Sequence, residues 1–561
     1  MNNQLVAKDY IVFLIYFIIV GAYGYWIYMK RKSREHDSKA FFLAEGSLTW
    51  WAIGASLIAS NISAEQFIGM SGNGFFVGIA VSAYEWIAAL ALVIIAIWFI
   101  PIYLKNHIYT MPQFLKTRYN ETVALIMAIF WLFLYVFVNL TSILYLGAIA
   151  INGLVGGEYL HTIMIALAVF ALIITLGGMK VIGYTDVIQV SVLIIGGLAT
   201  IYMALNVVSE KFGLGRNAWA GFNTLMKEAP EHFHMIMAKP DASSSQEYID
   251  KYLILPGILM YAAGQWIVNL NYWGCNQYIT QRALGANLPT ARTGILFAAC
   301  LKLMMPVIVM LPGIAAYVLN AHGYLPHLQG GMDGAYSAVL GFLPSGLKGL
   351  SIAALTAAIV ASLAGKANSI STIFTLDIYK KYMAKDADER KLVYTGRIVV
   401  VVAMITSVMF TWQDLLGIGS TGGFTYIQKY TGYISPGVFA MFILGMFWKR
   451  TTGAAAVAGI ITGFGLCVFF NQFAPMVFGN NTVLYTAYPN GKGGYEIPFL
   501  ICMGWSFFFT MLIMILISLR GPKINPHAFA LDKSMFRLKS THVALITIIL
   551  LILSALYIKF W

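Results

Sequence analysis

Residues 54–74 read GASLIASNISAEQFIGMSGNG. The stretch is long enough to cross a bilayer, which takes about 20 residues in a helix, yet it is crowded with glycine, serine, alanine, asparagine, glutamate and glutamine. A face that polar is not turned to lipid. Backbone that leaves the helix at membrane depth is tolerated where it is buried in protein or lines a water-filled cavity. The segment is therefore expected to be an interrupted helix. A second segment of the same character, AAGQWIVNLNYWGCNQ, occupies residues 262–277. Interruptions at corresponding positions of two halves point to a transporter built from inverted repeats, with its site near the bilayer midplane. Small-residue helices packed closely for purely structural reasons are the competing explanation.

The composition fits a membrane setting. Of 561 residues, 59% are apolar and 11% charged, with a mean hydropathy of +0.75; a soluble domain carries about 25% charged residues. A chain this long and this poor in charge cannot cover its own surface with polar groups. Apolar runs fall near 10–29, 48–73, 74–102, 121–155, 159–178, 184–208, 252–276, 291–320, 348–378, 393–412, 424–447, 452–474, 497–519 and 541–560. That gives an all-α membrane protein with about fourteen transmembrane helices.

A formal charge of +13 can signal a nucleic-acid partner, but the placement of the charges explains it as topology. The stretch KRKSREHDSK follows the first run and holds Lys30, Arg31, Lys32, Arg34 and Lys39. With that stretch in the cytoplasm, the loops on its side collect about two thirds of the Lys and Arg residues, as the positive-inside rule requires. Both termini then lie outside, in a multi-pass protein of the cell (inner) membrane. The first run reads as an anchor, not a cleaved leader. Cys275, Cys300, Cys467 and Cys502 lie inside apolar runs without metal spacing or a pairing pattern, and are expected to be free thiols. No segment outside the runs resembles a catalytic, nucleotide-binding or DNA-binding module. The expectation is a transporter or channel, not an enzyme, with the lipid bilayer and a small molecule as partners and no nucleic acid. The oligomeric state is left open.

The runs also hold a buried polar set: Glu65, Gln66, Glu85, Asp186, Asn269, Lys302 and Gln428. A charge at a helix centre costs roughly 2.5–3.5 kcal/mol on insertion scales, and such residues face a cavity or a partner. Carboxylates, an ammonium and three amides supply donors and acceptors together, which suits a neutral polyhydroxylated solute better than an ion. Tyr84, Tyr272, Trp273 and Phe424 add flat surfaces on which the C–H face of a sugar ring can lie.

At several separated blocks the sequence resembles the sodium:solute symporter family, closest to its bacterial sodium/galactose (sodium/glucose-type) branch. The blocks are WWAIGASLIASNISAEQFIGMSGNG (50–74), YEW (84–86), GGMKVIGYTDVIQ (177–189), NLNYWGCNQYITQR (269–282), TIFTLDIYKKY (372–382) and YIQKYTGYISPG (426–437). The resemblance implies a LeuT-type fold of two five-helix inverted repeats with peripheral helices. On that reading 1–47 is a first peripheral helix with its basic cytoplasmic loop, 48–208 the first repeat, 209–251 an outer loop, 252–447 the second repeat, and 448–561 three peripheral helices. It also implies symport of a neutral monosaccharide of the glucose/galactose kind, by alternating access, with Na+ as the coupling ion.

Carried over position by position, the sugar contacts fall on Gln66, Glu85, Asn269, Lys302 and Gln428. The inner gate falls on Tyr272 beside Trp273, and the outer gate on Met70, Tyr84 and Phe424. Ala88 replaces a sugar-contacting serine of the galactose branch. The sodium ligands implied are the carbonyls of Ala59, Ile62 and Ala358 and the hydroxyl of Ser362; Ala361 replaces a second hydroxyl, which weakens the site. Lys366 stands where the family has an apolar residue. Ala358, Ser362 and Lys366 are spaced by four and share one helix face. Side chains tilt toward a helix's amino end, so the Lys366 ammonium is expected to lean toward the sodium site, with Asp186 as its counter-ion. The alternative is a lysine reaching out to the cytoplasmic surface. Three functional readings follow: the sodium-coupled symporter, a sodium-independent or proton-linked carrier with Lys366 replacing the ion, and a membrane sugar sensor.

Overall fold

The computed structural model describes residues 5–29, 48–63, 65–155, 159–325, 328, 331–413 and 423–561. The basic stretch with Lys30, Arg31, Lys32, Arg34 and Lys39 lies outside the described residues. The chain is helical nearly throughout. Ten helices among the described residues are long and apolar enough to cross a membrane, and twelve if two sharply bent pairs each count as one span. The bent pairs are Gln246–Ala262 with Gln265–Cys275, at 80°, and Phe424–Gly432 with Ser435–Phe447, at 52°. The first of these bends falls on the polar segment around residue 264, where Gly264 lies so close to Leu500 that a Cβ would meet its carbonyl oxygen at 2.5 Å.

The polar stretch at 54–74 is interrupted as its composition requires. A helix covers Trp50–Asn61. Its last carbonyls have no partner further along the same helix, and Ile62 turns to extended backbone (φ −78°, ψ 111°). A wider, π-type turn over Glu65–Met70 follows and continues into Ser71–Phe76. Ser63 and Gln66 start this second half as a capping box. The Gln66 side-chain carbonyl accepts from the Ser63 backbone N–H at 3.0 Å, while the Ser63 hydroxyl accepts from the Glu65 N–H at 3.2 Å. A serine followed three residues later by glutamine satisfies helix-start donors in this reciprocal way.

By contacts the helices group into two units. The first comprises Met1–Ser82, Ala128–Phe233 and Gln281–Ile427; the second comprises Ala83–Met127, His234–Thr280 and Gln428–Trp561. In the first unit the interrupted helix packs on Leu288–Val309 through reciprocal glycines. A Cβ on Gly54 would lie 2.8 Å from the Gly294 carbonyl oxygen, and one on Gly294 would lie 2.8 Å from that of Trp50. The long helix Leu347–Thr372 is buried almost end to end. Its start is held by Asp9 of the helix Ala7–Met29, whose buried carboxylate accepts from the Gly346 and Gly349 N–H groups at 2.6 and 3.1 Å.

In the second unit Arg118 is wholly buried and donates to the carbonyls of Gly445, Trp448 and Thr451 at 2.6, 3.0 and 3.0 Å. It thereby satisfies the end of the helix Ser435–Phe447, where the last carbonyls lack helical partners. The stretch 209–251, expected as a loop, carries two α-helices, Ala218–Glu228 and the beginning of Gln246–Ile254, each with a side-chain cap from Asn217 or Ser245, and a short 3-10 turn at Pro230–Phe233. A two-residue antiparallel ribbon pairs Tyr488 with Glu496, too short to alter the all-helical class or to leave a pattern in the sequence.

Candidate functional site

The first unit holds a chain of buried charges and hydroxyls around the break in the interrupted helix. Ser362 donates its hydroxyl to the Ser60 backbone carbonyl at 3.1 Å, fastening Leu347–Thr372 to the last turn before the break. Lys366, 1% exposed, folds back by one turn and donates to the Ser362 oxygen at 3.0 Å. On its other side stands the Glu65 carboxylate at 3.7 Å. Lys366 therefore does not reach the surface.

Nor is Asp186 its carboxylate, which corrects the sequence expectation. Asp186 accepts from the Ser56 hydroxyl at 2.5 Å and faces Arg282 at 3.9 Å, while Arg282 donates from Nε to Ser56 at 2.8 Å. Arg282 is 1% exposed and lies against the backbone at Gly365, where a Cβ would meet its Nη2 at 2.5 Å. The guanidinium thus takes the position beside Asp186, and the lysine one residue on turns to the carboxylate at the start of the second half-helix. Arg282 and Glu65 were not among the predicted site residues. Glu65 stood only in the buried polar set, and Arg282 sits at the end of the block NLNYWGCNQYITQR, where it counts as a loop cation.

Of the sodium ligands the resemblance implies, Ala59 and Ile62 lie at the end of the first half-helix, and Ala358, Ala361 and Ser362 are buried on Leu347–Thr372. Ala361 adds no oxygen, but the Ser60 hydroxyl is buried with no hydrogen-bond partner among the described residues. It lies 3.3 Å from where a Gly365 Cβ would stand. An orphaned hydroxyl at the end of a half-helix suits a hard cation, which is held by several oxygens.

Of the sugar positions in the first unit, Gln66 commits its side-chain carbonyl to the capping box, which leaves its amide N–H groups as donors. Lys302 is wholly buried and donates to the Asn61 side chain at the break. Met70 and Phe424 are buried; Gly69 lets the second half-helix approach Phe424, whose Cβ would lie 2.6 Å from any Cβ there.

In the second unit Tyr84, Glu85 and Ala88 are buried on the helix Ala83–Ile94, which packs against Gln265–Cys275. Asn269 donates to the Gln265 carbonyl at 2.9 Å. Tyr272 is half-buried, edge-on to Trp273 and Tyr278 with ring centroids 5.2 and 5.7 Å away. Its turn is fixed by Tyr103, which donates to the Gly274 carbonyl at 2.8 Å, and by Asn271, which donates to Ser435 at 3.1 Å. Gln428 is half-buried at the start of this unit's last segment.

A multi-pass helical protein with a core helix broken around buried charges, hydroxyls and amides is built as a solute carrier of the membrane. The sodium:solute symporter family model matches residues 41–463, and the chain belongs to that family. It is 41% identical to the sodium/glucose cotransporter of Vibrio parahaemolyticus over 99% of this chain and 98% of that protein. It is 34% identical to the sodium/myo-inositol cotransporter 2 of Homo sapiens over 81% of this chain and 68% of that one. The fold is that of a Na+-coupled sialic acid symporter, with a TM-score of 0.75 at 19% identity, covering 93% of this chain and 99% of that chain.

Proposed function

We propose that this protein carries a neutral monosaccharide of the glucose/galactose class into the cell by alternating access, with sodium as the coupling ion. The observation that carries the reading is the near full-length similarity to a sodium/glucose cotransporter, in a chain whose interrupted helix gathers buried polar groups. Gln66, Glu85, Asn269, Lys302 and Gln428 are the sugar-contacting residues in this proposal. Tyr272 and Trp273 form the inner gate, and Met70, Tyr84 and Phe424 the outer one. The donor and acceptor mix favours an uncharged solute. The myo-inositol cotransporters among the relatives make a cyclitol the first competitor to test against a pyranose.

The carbonyls of Ala59, Ile62 and Ala358, the hydroxyl of Ser362 and the orphaned hydroxyl of Ser60 are the proposed sodium ligands. The ion supplies a differential affinity between conformations, without which it could not shift their balance. Ser362, by linking Leu347–Thr372 to the end of the first half-helix, makes that balance sensitive to what binds there.

The topology proposed has fourteen spans. The shorter apolar helix Leu160–Leu176 and the interrupted Trp50–Phe76 stretch each cross once, in addition to the spans counted above. The repeats are 48–208 and 252–447, both termini lie outside, and the membrane is the inner one. A second reading is favoured by the ammonium on Ser362: a carrier in which Lys366 replaces the ion, linked to protons or to no ion. Uptake of radiolabelled glucose and galactose into proteoliposomes, with and without a sodium gradient and with unlabelled myo-inositol as competitor, tests the proposal. Sodium-stimulated uptake of a hexose is expected. No uptake of either hexose under any gradient refutes the sugar reading, and uptake indifferent to sodium selects the second one.

A further inference from the structure

The Lys366 ammonium sits between two oxygens that belong to different parts of the first unit. One is the Ser362 hydroxyl on its own helix, at 3.0 Å. The other is the Glu65 carboxylate at the start of the second half-helix, at 3.7 Å. Glu65 Oε1 is buried and accepts no hydrogen bond among the described residues. The Ser362 hydroxyl already donates its hydrogen bond to the Ser60 carbonyl, so its oxygen is left as an acceptor only, and the ammonium occupies that acceptor. A cation bound at the same oxygen would stand a few ångströms from the ammonium, in a place shut off from water where like charges repel strongly. Ammonium and ion cannot both use Ser362 in this arrangement. The step from Ser362 to Glu65 is short, because the carboxylate is already within ion-pair distance.

We propose that Lys366 is a tethered competitor for the sodium ion, and that Glu65 is the berth that takes the ammonium when the ion binds. The proposal rests on the sodium-coupled reading above. Its consequence is a carrier with a deliberately high sodium requirement. The two residues then act with opposite sign. Lys366→Met removes the competitor and lowers the sodium concentration needed. Glu65→Gln removes the berth, leaves the ammonium on Ser362 and raises it. Either single change strands a buried charge and can fail to fold. The double variant Lys366→Met/Glu65→Gln removes both charges, a change that buried pairs tolerate far better than loss of one partner, and it too lacks the competitor.

The test is sodium-specific thermal stabilisation of the purified protein in detergent, without sugar, titrating sodium against potassium at constant ionic strength. Half-maximal stabilisation in the double variant is expected at about tenfold lower sodium than in the parent, a change of one decade in affinity, and Glu65→Gln is expected to move the other way. A double variant that responds at the parent's sodium concentration, or a higher one, overturns the proposal while leaving the sodium-coupled reading standing. A protein that shows no sodium-specific stabilisation in any of the forms overturns both. Because no sugar is present, a wrong assignment of the solute changes none of these outcomes.

Discussion

Replacing Arg282 by methionine tests whether the buried charges around the break hold the first unit together. The guanidinium lies 3.9 Å from the Asp186 carboxylate and donates to Ser56 at 2.8 Å, and both ionic side chains are 1% exposed. At that separation an effective dielectric of about 20 makes the attraction about 4 kcal/mol. Breaking a buried pair by removing one partner costs about 3–5 kcal/mol, because the other charge is stranded. Asp186 would keep only the Ser56 hydroxyl at one oxygen, and its other oxygen already lacks a hydrogen-bond partner among the described residues. Arg282→Met should therefore destabilise the protein by about 3–5 kcal/mol, and adding Asp186→Asn should recover about 2 kcal/mol or more of that loss. The measurement is a double-mutant cycle on reversible unfolding by sodium dodecyl sulfate in mixed micelles. A cycle additive to within about 0.5 kcal/mol would show that the two side chains are neighbours without being partners, and the reasoning from distance and burial would be refuted.

Alanine at Gln66, Glu85, Asn269 or Gln428 should each weaken hexose binding by about 1–3 kcal/mol per lost hydrogen-bond partner; unchanged affinity by calorimetry in all four removes them from the site. Tyr272→Phe keeps the ring and should retain most of the binding, whereas Tyr272→Ala should lose it, and equal affinities for the two would exclude stacking as the interaction. Gly365→Ala drives a Cβ to 2.5 Å from Arg282 Nη2, so it should lower the melting temperature in the parent and have much less effect in the Arg282→Met background; equal losses in both would place the strain elsewhere.

The interrupted helix was legible from composition because backbone in a bilayer must find internal partners, and a run holding Ser56, Ser60, Asn61, Ser63, Glu65 and Gln66 has no lipid-facing side. The capping box at Ser63 and Gln66 was also written in the sequence as serine, two residues, glutamine; reading Gln66 only as a ligand hid its structural task. The Lys366–Glu65 pair was not legible. Four-residue spacing placed Lys366 toward Ser362, but which carboxylate faces it depends on where the first half-helix breaks, at Ile62, because that break sets the direction of Glu65 at the start of the second half. Arg118 and Arg282 show a different limit. Counting basic residues by loop treats both as surface cations, yet one caps a helix end and the other neutralises a buried aspartate. A charge count sees position along the chain and not the carbonyl or carboxylate that the fold brings alongside.

The grip of Asp9 on Gly346 and Gly349 has a consequence for how the protein is made. The residues joined are 337 apart in sequence. During synthesis at about 5–20 residues per second, the Asp9 carboxylate waits roughly 17–70 s for the amides that hold it. Through that interval the first helix sits in the translocation machinery's neighbourhood or in lipid with an acidic group near one end and its final neighbour unbuilt.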